Sequence, residues 1–222
     1  IMTKAEKEST AIHEAGHATV SWMLQYANPL VKVTIVPRGR ALGAAWYLPE
    51  EHQHVTTKHL LDEICATLAG RAAEELVYGE VSTGALNDLE NTTKKAYAMI
   101  VYYGFSEKLA NLSFYDSSGA SDYSFSKPYS EETSKLIDAE VKALIAEQYE
   151  RAKTILQQNM EGMKQLASIL TEKEVIFADD VEQIFGKRPW KSRADELNEE
   201  SESKKKGEIQ KGDNKDGIVE TT

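Results

Sequence analysis

The sequence predicts a mainly α-helical domain with one small β-sheet beside its first helix and a disordered C-terminal tail. Three observations predict it. Most of the first 190 residues repeat apolar side chains at helical spacing, and only residues 30–48 alternate as a strand does. Residues 191–222 are dominated by Lys, Glu, Asp, Ser and Gly, with almost no bulky apolar groups to fold around. The expected organisation is therefore a domain over residues 1–190 and a charged, disordered tail over residues 191–222.

Residues 4–26 bring Ala11, Ala15, Ala18, Trp22 and Leu24 to helical spacing ahead of the breaker Asn28-Pro29. Two short strands follow. Val31, Val33 and Ile35 form one set, Pro37-Arg38-Gly39 turns the chain, and residues 44–48 return with Trp46, Tyr47 and Leu48 facing the core. Gly43 marks a bulge or a close backbone approach. Residues 57–78 are helical through Leu60, Leu61, Ile64, Leu68, Ala72 and Leu76, capped at Thr56 or Thr57 and stopped at Gly79. Ser82 and Thr83 are cap candidates for a helix that runs through Tyr97, Ile100 and Val101 to Gly104. Residues 116–128 are a Ser-, Gly- and Asp-rich loop. Ser130, followed by Glu131 and Glu132, opens a long amphipathic helix through Leu136, Val141, Ile145, Tyr149 and Ile155. Helices over about 160–170 and 177–185 close the domain.

Composition excludes several functions. Lys and Arg total 26 against 36 Asp and Glu, a formal charge of −10, so the basic footprint of a nucleic-acid-binding protein is missing. A single cysteine, Cys65, can form no internal disulfide and no Cys-based zinc module. No apolar run approaches the roughly 18 residues of a membrane span, so the chain as given is expected to be soluble.

The chemistry lies in His13-Glu14-Ala15-Gly16-His17, an H-E-x-x-H motif on the first predicted helix. Spacing of four residues stacks the two imidazoles one turn apart on one face, where both can reach a single zinc ion. Glu14 stands beside them as the base that takes a proton from water attacking a peptide carbonyl. The extended motif with a third histidine is excluded, because Val20 and Met23 stand where it requires Gly and His. His52, His54 and His59 read as exposed loop residues. Spacing alone leaves Glu74, Glu75 and Asp88 as carboxylates that could complete the site.

Four segments in order carry a resemblance. They are His13-Glu14-Ala15-Gly16-His17; the strand pair Val33-Thr34-Ile35-Val36-Pro37 to Gly43; Leu68-Ala69-Gly70-Arg71-Ala72-Ala73-Glu74-Glu75; and Ser82-Thr83-Gly84-Ala85-Leu86-Asn87-Asp88. Together they resemble the peptidase domain of the FtsH family, membrane-anchored AAA+ ATP-dependent zinc metalloproteases, and the likeness continues through Tyr103-Gly104-Phe105-Ser106 to about Pro189. The resemblance implies a helical zincin-type peptidase fold with a small sheet next to the HExxH helix. It implies zinc held by His13, His17 and Asp88, Glu14 as the catalytic base, and Glu74 as a partner that orients a ligand histidine. Leu86 and Asn91-Thr92-Thr93 depart from the family's pattern without touching these positions.

The resemblance also implies a homo-hexamer that degrades unfolded membrane and cytosolic polypeptides in protein quality control. ATP and Mg2+ would bind an AAA+ module outside this chain, since no G-x-x-x-x-G-K-[ST] loop occurs in it. The chain is thus expected to be a fragment of a protein anchored in the inner (cytoplasmic) membrane, with this domain facing the cytoplasm and no nucleic acid among its partners.

Overall fold

A computed structural model describes residues 2–37, 43–48, 54–118 and 127–191. Helix α1, Lys4–Met23, starts at a reciprocal cap: Thr3 Oγ1 accepts from Glu6 N–H at 3.2 Å, and the Glu6 carboxylate accepts from Thr3 N–H at 2.7 Å. Every residue from Ala11 to Trp22 is buried, because α2, α5 and the sheet all pack on this helix. The helix ends three residues before the expected Tyr26. Leu24 turns to extended backbone, Tyr26 N–H donates to Asp62 Oδ2 at 3.0 Å, and Arg188 Nη2 donates to Leu24 O at 2.9 Å. These partners lie far along the chain and replace the bonds a further helical turn would have made.

Strand β1, Leu30–Thr34, pairs antiparallel with β2, Ala44–Tyr47, on one side and with β3, Val175–Phe177, on the other, giving the order β2-β1-β3. Three expectations are corrected here. The pairing slips between Leu30 and Lys32, so Leu30 and Val33 face inward while Val31 is 44% exposed. This irregularity falls in β1, while Gly43 is the close approach, the other expectation for it, since a Cβ there would stand 2.6 Å from Glu14 Oε1. Leu48, at 55% exposure, lies outside the core. Phe177 ends β3 and does not begin the last helix. Glu174, in left-handed backbone at φ 63°, reverses the chain out of α5 and gives its carbonyl to Ile35 N–H at 3.0 Å.

The remaining elements are helices. α2, Thr57–Tyr78, stops at Gly79, whose φ of 72° suits glycine and whose N–H donates to Glu75 O at 2.8 Å. A 3-10 turn, Thr83–Ala85, precedes α3, Leu86–Val101, and Ser82 Oγ accepts from Gly84 N–H at 3.1 Å. α4, Glu131–Gln158, α5, Met160–Lys173, and α6, Ala178–Phe185, complete the unit, which ends at Arg188. A second unit begins at Pro189. The tail expected from Lys191 lies outside the described residues after Lys191 itself, as do most of the 116–128 loop and the turn after Pro37.

Candidate metal centre

The middle of α1 carries His13, Glu14 and His17 at 8, 6 and 9% exposure. Helix α2 closes over them because Gly16 has no side chain. A Cβ there would stand 2.6 Å from Ala73 Cβ and 2.7 Å from Ala69 O, closer than non-bonded atoms approach.

That closeness brings two acceptors to the imidazoles. His13 Nδ1 lies 2.6 Å from Glu74 Oε1, and His17 Nδ1 lies 2.9 Å from the carbonyl of Ala66. Both acceptors are oxygens that call for a proton on Nδ1, and the Nε2 atoms of the two rings face the same space. The other Glu74 oxygen accepts from Ser82 N–H at 2.7 Å, tying His13 to the segment that leads into α3. Asp88, in the first turn of α3, then reaches the pair. Its Oδ2 lies 3.2 Å from His13 Nε2 and 3.3 Å from His17 Nε2, and the two nitrogens are 3.1 Å apart.

These edges test the site for zinc. Ligand arms of about 2.0–2.1 Å at tetrahedral angles put donor atoms roughly 3.3 Å apart. The observed triangle, at 3.1, 3.2 and 3.3 Å, fits. Among the described residues this is the one group of three His, Cys, Asp or Glu side chains arranged to hold a metal ion.

The charge balance favours positive charge at this place. Three carboxylates, Glu14, Glu74 and Asp88, surround two imidazoles. Burial pulls the His13 imidazolium down, but hydrogen bonds to Asp88 and Glu74 more than offset this and lift it to about 9. Burial alone would raise Asp88, yet contacts with His13 and His17 hold it well below the usual carboxylate range. For Glu74, burial is likewise outweighed, by His13 and by Ser82, and its carboxyl is lowered. Glu14 goes the other way: burial raises it, and the nearby histidines do not cancel that effect. The site therefore separates two carboxylates kept ionised, Asp88 and Glu74, from a third, Glu14, with raised proton affinity.

Other candidates fall outside. Glu75 turns away to Tyr149 OH and to Lys153 Nζ at 3.6 Å. His54 is exposed, and His52 lies outside the described residues. His59 is not in a loop; it sits in the first turn of α2, half-buried, with its ring centroid 4.2 Å from that of Tyr26. Sequence reasoning missed the Ala66 carbonyl, which has no side-chain signature. It also assigned no role to Gly70, although a glycine inside a helix costs about 1 kcal/mol relative to alanine and so calls for a reason.

The sequence profile described as peptidase family M41 matches residues 1–184. The chain belongs to peptidase family M41. Among family relatives, the ATP-dependent zinc metalloprotease FtsH of Parabacteroides distasonis is 64% identical over 197 residues, covering 89% of this chain and 29% of that protein. FTSH 3, a mitochondrial ATP-dependent zinc metalloprotease of Oryza sativa, is 46% identical over 193 residues, covering 86% and 24%. The mitochondrial inner membrane m-AAA protease component AFG3L2 of Mus musculus is 43% identical over 194 residues, covering 87% and 24%. The M41 chain thus spans less than a third of the length of these curated relatives. The resemblance seen in the four motifs is borne out.

Proposed function

We propose that residues 1–190 are the proteolytic module of an ATP-dependent zinc endopeptidase that hydrolyses peptide bonds of unfolded membrane and cytosolic proteins. The observation that carries this reading is the convergence of His13 Nε2, His17 Nε2 and Asp88 Oδ2 on one space beside a buried Glu14. In it, those three residues hold the ion, and Glu74 and the Ala66 carbonyl fix the two rings.

Zinc, when bound, supplies Lewis acidity that polarises a peptide carbonyl and makes water a stronger acid. Glu14 takes the proton from the attacking water and passes it to the departing amine, a task suited to a carboxylate whose proton affinity burial has raised. Gly43 lies over this carboxylate, since a Cβ there would stand 2.6 Å from Glu14 Oε1. It leads into β2, an edge of the sheet, where an extended peptide can add as a further strand next to the base.

The remaining parts of the reading belong to the full-length protein. They are an AAA+ module that uses ATP and Mg2+ to deliver unfolded chains, a homo-hexameric ring, and an anchor in the inner (cytoplasmic) membrane with this module on the cytoplasmic side. The relatives, ATP-dependent proteases by name with one a component of the mitochondrial inner membrane, support them. No helix among the described residues is long and apolar enough to cross a membrane.

Removal of metal tests the reading. Treating the chain with a zinc chelator is expected to abolish hydrolysis of an unfolded peptide, and added zinc to restore it. Free zinc at 1,000 times its dissociation constant adds about 4 kcal/mol, so chelation should lower the melting temperature by roughly 10 °C. Hydrolysis and melting that ignore the chelator would contradict the reading.

A further inference from the structure

We propose that Gly70 is a positioning residue of the metal centre: by carrying no side chain it keeps carbon out of the space beside both imidazole donors, so that α2 can cover the centre and still leave room for an ion. The proposal rests on the reading of His13, His17 and Asp88 as zinc ligands.

Gly70 is buried within α2, well away from either end of the helix. Its backbone gives no reason for glycine, because among the described residues the glycines with positive φ are Gly79, Gly104 and Gly186. Alanine there would favour the helix by about 1 kcal/mol. The reason lies across the interface. A Cβ built on Gly70 would stand 2.5 Å from His13 Nε2, 2.5 Å from His17 Nε2 and 2.6 Å from His13 Cε1. Non-bonded carbon contacts settle at about 3.5–4.0 Å, whereas a zinc ion sits about 2.0–2.1 Å from an imidazole nitrogen. A coordinated ion can approach both donors so closely; a methyl group cannot.

Gly16 provides the contrast. There the added carbon meets Ala73 Cβ and the Ala69 carbonyl, which cannot move unless α1 and α2 separate. At Gly70 the three nearest atoms it meets all belong to the far ends of two side chains. Those rings can swing aside when no metal holds them, losing the bonds to Glu74 and Ala66 while the helices stay packed. Alanine at position 70 is therefore compatible with the fold and incompatible with the metal.

The test compares the 222-residue chain with its Gly70→Ala and Gly16→Ala variants. Zinc affinity is measured by chelator competition, site geometry by the visible absorption of bound Co(II), and the fold by circular-dichroism melting without metal. Gly70→Ala should bind zinc about 100-fold more weakly or worse and lose the tetrahedral Co(II) bands. Its metal-free melting temperature should stay within about 5 °C of the parent, while Gly16→Ala falls well below both. A Gly70→Ala chain that binds zinc within about threefold of the parent overturns the proposal, and so does one that is unfolded without metal. A parent chain that binds no zinc overturns the ligand assignment first, before any variant is compared.

Discussion

Asp88→Asn is expected to fold but to lose zinc, with affinity reduced more than 100-fold and peptide hydrolysis falling with it. Asparagine keeps the shape of aspartate but removes the charge that balances a dication, and it offers a weak neutral oxygen in place of a carboxylate. Glu74→Gln should be milder. Its one oxygen can still accept from His13 Nδ1, but the amide nitrogen then faces Ser82 N–H, and such weakening of an orienting partner costs about 10–100-fold in metal affinity. Titration of each variant with zinc against a chelator separates the two roles. Full zinc occupancy in Asp88→Asn with loss in Glu74→Gln would exchange them.

The second large effect is at Glu14. Glu14→Gln should keep zinc, because neither Glu14 oxygen belongs to the donor triangle, and should slow casein degradation by roughly 1,000-fold, the loss typical of a general base. The amide fills the same buried volume but cannot accept a proton from water. Measuring zinc content and turnover on one preparation checks both halves. Undiminished turnover would move the base elsewhere, and lost zinc would make Glu14 a ligand.

The helices were legible because their apolar positions recur at helical spacing and their ends carry local chemistry, as at Gly79 and Ser130. Strand β3 was hidden for a physical reason. Three residues give too short an alternation to read, and they pair with β1 about 140 positions earlier in the chain. The inward set of β1 was misread at Val31 because a slip in pairing reverses which side chains face the core. The early end of α1 depends on Asp62 and Arg188, partners that no local pattern names.

In the site, the HExxH helix was plain from spacing alone, whereas the choice among Glu74, Glu75 and Asp88 was not. All three are carboxylates near helices, and only the tertiary arrangement sends Glu74 to an Nδ1, Glu75 to Tyr149 and Asp88 to the two Nε2 atoms. Backbone groups and missing side chains leave still less trace. The Ala66 carbonyl and the empty side of Gly70 emerge once α1 and α2 are placed face to face.

The most direct test of the metal centre is anomalous diffraction at the zinc edge from crystals of the zinc-loaded chain. One strong peak is expected about 2.0–2.2 Å from His13 Nε2, His17 Nε2 and an Asp88 carboxylate oxygen, with Glu74 remaining on His13 Nδ1. A peak coordinated by Glu74 or Glu75, or no peak between α1 and α3, would contradict the ligand assignment.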